Sequence, residues 1–364
     1  MWIENIVLQD FRNYSQQRVE FSPHLNLILG DNGEGKTNLL EALFLLSTTK
    51  SHRTNQDKDL VRFGEQFYYV ACKVNKRAHT ERIEVGYSLE RRQKIAKLSG
   101  VPLARLSELI GVLNVVLFSP EDLELIKGSP GGRRRFLDIF LSQLRRGYVG
   151  ELQQYNKVLS QRNDCLRLIQ SRRFSEDVLC PWDEQYAKLA LSISGIRRQM
   201  MEEFAPQFHA FARKISGRES LTVRYTETLA DMDETLLLRR LETSRPGDIL
   251  RGNTSLGPHR DDIMFLIDGR QASLYASQGQ QRTAVLALKL AELGYLQQAT
   301  GEAPVLLLDD VFSELDEIRK EALVKVISGE VQSFVTGTRD TDLNLMQGNG
   351  HDAKRLVVEQ GQVT

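Results

Sequence analysis

The sequence predicts an α/β fold in which a mixed sheet with an antiparallel lobe forms a head, interrupted by an inserted, mainly helical domain. Three observations carry this expectation. A nearly all-apolar strand, residues 25–29, runs into a glycine loop and then into Asn38–Leu46, which has the apolar density of a buried helix. Beyond residue 251 strand and helix patterns alternate again. Between them, residues 130–250 favour helix and contain few breakers. The chain is accordingly read as a head in two parts, 1–129 and 251–364, with an inserted helical arm at 130–250.

Composition narrows the class further. A length of 364 residues suits about two domains, and 41% apolar with 26% charged residues excludes extended disorder. The start, Met1-Trp2-Ile3-Glu4-Asn5, lacks a basic segment followed by an apolar one, and no stretch approaches the roughly 18 apolar residues of a membrane span. A soluble cytoplasmic protein is expected. The three cysteines are odd in number and form no C-x-x-C pair, so neither a disulfide framework nor a zinc ribbon is supported.

Each element has its own justification. Trp2–Leu8, Arg18–Phe21, Phe67–Val74 and Arg82–Leu89 partly alternate apolar and polar residues, as antiparallel strands do, and Val112–Phe118 is a short apolar strand stopped by Ser119-Pro120. Long helices are expected from Arg133 to Gly147, on to Arg172, and from Trp182 to Lys214. Strand Leu221–Tyr225 and helix Asp233–Arg240 follow, with Pro246-Gly247 and Gly257-Pro258 as punctuation. Strand Ile263–Ile267, helix Gly279–Gln298, strand Val305–Leu308, helix Asp316–Ile327 and strand Val331–Thr336 complete the head.

Chemistry concentrates at four places. Gly30-Asp31-Asn32-Gly33-Glu34-Gly35-Lys36-Thr37 fits G-x-x-x-x-G-K-[ST] at every fixed position. Glycines let successive amides converge on phosphate oxygens, the following helix adds its positive end, Lys36 adds a point charge and the Thr37 hydroxyl can ligate Mg²⁺. Val305-Leu306-Leu307-Leu308 ends in two adjacent carboxylates, which repel unless a cation or proton is shared. Asp309 is the expected Mg²⁺ residue, and Asp310 the general base or water-orienting group. Asp309 must then lie near Thr37, so both chain ends build one sheet. Ser277, Gly279 and Gln280 sit at the start of a helix, where anions are favoured.

Phosphate loop, Ser277-Gln278-Gly279-Gln280 as signature, Val305–Asp310 as Walker B and Ser313-Glu314-Leu315-Asp316 as D-loop resemble the order and spacing of ABC-type ATPase heads. Within that class the chain resembles the RecF family, relatives of the SMC heads. The marks include Phe11-Arg12-Asn13-Tyr14, Phe118-Ser119-Pro120-Glu121-Asp122-Leu123, Gly128-Ser129-Pro130 followed by Arg133-Arg134-Arg135-Phe136-Leu137-Asp138, and Gly257-Pro258-His259-Arg260-Asp261-Asp262. The resemblance implies a weak, DNA-stimulated ATPase of recombinational repair, replication and the SOS response. It implies an ATP-dependent homodimer that sandwiches two nucleotides, with Ser277 on the partner's γ-phosphate, and partnership with RecR and RecO. Arg12 looks like the phosphate-contacting or base-stacking arginine of such heads, and Lys36 joins Asp310 as a catalytic group. Two departures point to slow hydrolysis. No glutamine stands near Phe118–Glu121, and Thr336-Gly337-Thr338 replaces the histidine of transporter ATPases, leaving Thr336 or Thr338 as γ-phosphate sensor.

Net charge is zero, yet it is segregated. Residues 131–173 hold ten basic side chains against three acidic ones, whereas 302–330 hold eight acidic against three basic. A basic arm suits binding to the DNA backbone, single- or double-stranded, without sequence readout. The alternatives are an energy-coupling subunit of a membrane transporter, which the missing glutamine and histidine disfavour, and a nucleotide-switched scaffold without turnover.

Overall fold

The computed structural model describes residues 1–216, 220–327, 331–338 and 353–364, and the chain divides into two compact units. The first is Met1–Leu123, Phe211–Arg218 and Ser277–Thr364; the second is Glu124–Ala210 and Glu219–Ala276. The second unit thus opens at Glu124 and closes at Ala276, whereas the sequence places the inserted arm at 130–250.

In the first unit the strands are β1 (Trp2–Phe11), β2 (Tyr14–Glu20), β3 (Leu25–Leu29), β4 (Phe67–Asn75), β5 (Thr80–Ser88), β6 (Gln93–Leu98), β7 (Val101–Pro102) and β8 (Val115–Phe118). After the second unit's β9 (Leu221–Thr226), β10 (Asp262–Ile267) and β11 (Arg270–Gln271) come β12 (Val305–Leu308), β13 (Ser333–Gly337), β14 (Lys354–Glu359) and β15 (Gln362–Val363). One sheet runs β2-β1-β4-β5-β6-β7 and is antiparallel throughout. The other runs β15-β14-β3-β13-β12-β8, parallel except for the β14–β15 hairpin.

Strands β3, β8 and β12 are almost continuously apolar, and β13 is buried along its whole length, because parallel strands are covered on both faces. Leu27, Ile28, Leu307, Leu308 and Phe334 are fully buried. Helix α1 (Lys36–Thr48) buries most of its circumference, so it lacks a polar face. Because β13 lies between β3 and β12, the phosphate loop and the Val305–Asp310 segment leave the same edge of one sheet, as the chemistry demanded.

The second unit holds α2 (Glu124–Lys127), α3 (Pro130–Leu144), α4 (Tyr148–Gln170), most of α5 (Cys180–Ser216), α6 (Glu234–Arg251) and α7 (Ala272–Tyr275), with the sheet β11-β10-β9. Here α6 continues through Pro246, where the sequence suggested a stop. Buried Leu237, Leu241 and Asp248 span the proline, so packing outweighs the lost backbone hydrogen bond. Asp248 and Asp183 both ion-pair with Arg162, which is wholly buried and also donates to Thr254 Oγ1 at 2.7 Å. His259 is held by hydrogen bonds on both ring nitrogens: Nδ1 lies 2.6 Å from the Tyr155 hydroxyl and Nε2 2.9 Å from the Thr254 carbonyl. Burial lowers its pKa to about 4 and keeps it neutral. No helix among the described residues is long and apolar enough to cross a membrane.

The first unit also buries a charge trio. On α8 (Gln278–Thr300), Lys289 Nζ stands 3.1 Å from Asp122 Oδ1 and 3.5 Å from Glu292 Oε2. One ammonium cannot neutralise two carboxylates, and burial raises the Glu292 pKa to about 7. In the unfolded chain this group ionises near 4.5. Between those values the folded state holds the extra proton, so stability falls as pH rises, by up to about 1.4 kcal/mol per pH unit. Urea unfolding of Glu292→Gln should therefore show a flatter stability profile between pH 5 and 7 than the parent. An unchanged profile would mean that Glu292 is ionised throughout.

Candidate nucleotide-binding site

The phosphate loop is shaped by what crowds it. A Cβ at Gly30 would lie 2.3 Å from the Val358 carbonyl oxygen on β14, and at Gly35, with φ 124°, 2.6 Å from Asn13 Nδ2. Only glycine fits either place. Asn13 Nδ2 donates to the Glu34 carbonyl at 2.7 Å, and the Gly361 amide donates to the same oxygen at 3.2 Å. The Gln360 amide donates to the Glu34 carboxylate, and the Tyr14 hydroxyl to the Gly35 carbonyl at 2.9 Å. Asp31, Asn32 and Gly33 form the exposed crest of the loop. The β1–β2 turn and the carboxyl-terminal hairpin thus clamp it from two sides. The sequence does not announce that hairpin, because Lys354–Glu359 opens on two charged residues and is short.

Lys36 opens α1, and its buried ammonium donates to the Gly30 and Asp31 carbonyls at 2.8 and 2.9 Å. Next along the helix, the Thr37 hydroxyl donates to Asp309 Oδ1 at 3.0 Å. The same oxygen accepts from the Thr336 hydroxyl at 2.9 Å, and Thr336 Oγ1 in turn accepts the Asp310 amide at 2.8 Å. Thr336 stands next to the end of β13, between β3 and β12, which is why it reaches both acidic residues. Burial pushes the Asp309 pKa up, against the two hydroxyl donors that stabilise its charged form. Asp310 sits at φ 49°, a left-handed conformation that aspartate tolerates, and its Oδ1 is 3.4 Å from Thr336 Oγ1. Thr336 therefore binds the carboxylates from below; Thr338 is half-buried.

Arg12 lies at the β1–β2 turn and grips Glu41 of α1 in a two-pronged pair, at 2.8 Å from Nε and 2.7 Å from Nη2. Its Nη1 donates to the Asp59 carbonyl at 2.8 Å. Burial would raise the Glu41 pKa, but Arg12, Ser51 and Arg53 together hold it below the ordinary carboxylate value. Sequence reasoning misses Glu41, although an acid inside Leu39-Leu40-Glu41-Ala42-Leu43-Phe44 is a visible signal, since a charge in a buried helix needs a partner. Lys289, inside Val285–Glu292, carries the same signal.

Ser277 caps α8 and is exposed. Its hydroxyl accepts the Gln280 amide at 3.3 Å, while the Gln280 side chain accepts the Ser277 amide at 2.7 Å, a closed capping box. The Gly279 carbonyl accepts from Arg319 Nη2 at 2.7 Å. On the D-loop, Ser313 Oγ donates to the Asp310 carbonyl at 2.7 Å, and the Glu314 side chain lies outside the described residues. The structure thus brings Gly30–Thr37, Asp309, Asp310 and Thr336 together, and places Arg12 on Glu41 beside them and Ser277 on an exposed helix start. Among the described residues no group of three or more His, Cys, Asp or Glu side chains is arranged to hold a metal.

Comparison with known proteins adds a second, independent line. The family model of the RecF/RecN/SMC N terminal domain matches residues 2–361. The DNA replication and repair protein RecF of Listeria innocua is 40% identical over 374 residues, covering all of this chain and 99% of its own. RecF of Streptococcus suis is 40% identical with the same coverage, and that of Lysinibacillus sphaericus 41% identical over 93% of each chain. A structure of the recombination mediator protein RecF with ATP, in the RecFOR pathway, superposes with TM-score 0.91 at 37% identity, covering all of this chain and 97% of that one. An SMC head bound to the C-terminal winged-helix domain of ScpA shares the fold at TM-score 0.59 and 18% identity. With its full length matched at this identity, the chain belongs to the RecF family, a branch of the ABC-type ATPases that includes the SMC heads.

Proposed function

We propose that this chain is an ATP-dependent DNA-binding protein of recombinational repair and replication. ATP brings two copies together on DNA, at junctions between single- and double-stranded segments, and slow, DNA-stimulated hydrolysis releases them. The observation that carries the reading is the meeting of Thr37 and Asp309, 272 residues apart in sequence, within 3.0 Å beside Lys36. In this reading amides of Asp31 to Thr37 hold phosphate oxygens, and Lys36 leaves the Gly30 and Asp31 carbonyls for the β- and γ-phosphates. Asp310 orients or deprotonates water. Arg12 holds the α1 side of the site through Glu41, and Ser277 with the Gly279 amide and Gln280 completes the other copy's site.

The donor set fits Mg²⁺. Thr37 and Asp309 offer hard oxygens on adjacent positions, and Mg²⁺ characteristically takes one or two protein oxygens and leaves the rest to phosphate and water. When bound there it neutralises charge developing on the phosphates. Asp309 gains the most, because burial already disfavours its bare charge.

DNA contacts fall on fewer arm residues than the sequence count implied. Arg133 is buried in a two-pronged pair with Asp262 at 2.7 and 2.9 Å, and Arg162 is in the core of its unit. Arg145, Arg146, Arg172 and Arg173 are exposed and remain available to phosphates. RecR and RecO are the proposed partners, since a close structural relative is described within the RecFOR pathway, and the cytoplasm is the proposed compartment.

Sedimentation of the full chain with ATP and a gapped duplex tests the reading. The parent should run as a dimer on DNA, Lys36→Arg as a single copy, and Asp310→Asn as a persistent dimer whose turnover falls by about a hundredfold or more. A parent that stays single at saturating ATP and DNA would overturn it. Replacing Arg145, Arg146, Arg172 and Arg173 by alanine should reduce the slope of log affinity against log salt by about 0.9 for each phosphate no longer neutralised. An unaltered slope would remove these four arginines from the DNA surface.

A further inference from the structure

Arg319, in α9 (Glu317–Ile327), stands one turn past the D-loop and is absorbed by none of the recognised motifs. Its guanidinium is spent entirely within the first unit. Nε donates to Thr283 Oγ1 at 2.8 Å, and Nη2 to the same oxygen at 2.6 Å and to the Gly279 carbonyl at 2.7 Å. Nη1 pairs with the Asp316 carboxylate, whose other oxygen accepts the Arg319 amide at 3.1 Å. Thr283 is fully buried and itself donates to the Gly279 carbonyl at 3.1 Å. One planar side chain thus fastens the last D-loop residue to the first turn of α8, the turn that presents Ser277.

We propose that Arg319 is a positioning residue for nucleotide bound by another copy of the chain. It rests on the two-copy reading above and adds to it which side chain sets the signature turn. The capping box fixes Ser277 relative to Gln280 only, so it defines the shape of the turn and not its place on the head. Arg319 supplies the place. Its fork needs two acceptors in one plane, Gly279 O and Thr283 Oγ1, so it fixes direction as well as distance, which a lysine's single point charge would not. Ser277 and the D-loop therefore approach a partner's phosphates as one rigid piece. A misplacement of about 1 Å at such a contact costs on the order of a hundredfold in rate.

The consequence is a defect that acts in trans. Arg319→Ala should keep the parental affinity for ATP, because its own phosphate loop, Lys36 and Asp309 are untouched. It should lose ATP-driven dimerisation, and kcat should fall by about a hundredfold while the full chain still unfolds in a single cooperative step. Thr283→Val, which removes the gripped oxygen and keeps its volume, should reproduce the defect if alanine at 319 harms folding. Mixing Arg319→Ala with Lys36→Arg is the decisive arm. The first supplies an intact phosphate loop and the second an intact signature turn, so mixed dimers hold one complete site and should recover activity that neither variant has alone. Parental kcat in Arg319→Ala, or no recovery on mixing while the parent dimerises, would overturn the assignment. A parent that never dimerises with ATP would overturn the two-copy reading and the assignment with it.

Discussion

The hydroxyl of Thr37 and the carboxylate of Asp309 meet at 3.0 Å although they come from opposite ends of the chain. That single contact constrains most of the rest. It requires β3 and β12 to share a sheet and end at the same edge, and β13 between them supplies Thr336 as the third member. It also requires everything in residues 124–276 to leave the head and return, apart from the turns of α5 that stay with it. Buried carboxylates are costly unless hydrogen-bonded, and two hydroxyls on one Asp309 oxygen are what this arrangement provides.

The same economy of buried charge recurs around the site. Glu41 is enclosed and answered by Arg12, Ser51 and Arg53, which ties the β1–β2 turn to α1. Lys289 answers Asp122 and Glu292, which ties the segment after β8 to α8. Each pairing anchors a helix that carries a piece of the candidate site, α1 or α8, so the charges act as fasteners rather than as ligands. Breaking such a buried pair leaves an uncompensated charge, typically at about 3–5 kcal/mol. Rigid placement is thereby coupled to stability.

Much of this is legible in the sequence because it is local. The glycine loop, the apolar strand ending in Asp309-Asp310 and the Ser277–Gln280 cap are each written in consecutive residues. Sequence also implies the shared sheet, through the requirement that Thr37 meet Asp309. What escapes is non-local. Nothing adjacent to Arg133 announces Asp262, so an arginine in a basic run looks available to DNA and is buried instead. Pro246 marks a stop that packing overrides, and the β14–β15 hairpin, which grips the phosphate loop through Gly361 and Gln360, has too little apolar sequence to be noticed. Nor does the sequence show that the Thr336 hydroxyl donates to Asp309 and accepts the Asp310 amide.

Titrating ATP into the full chain by calorimetry, with Mg²⁺ and again with chelator, addresses the central contact directly. If Thr37 and Asp309 together hold the metal, the parent binds ATP more tightly with Mg²⁺, and Asp309→Asn loses that difference while still binding ATP through Lys36 and the loop amides. An Asp309→Asn variant that keeps the full gain from Mg²⁺ would contradict the account.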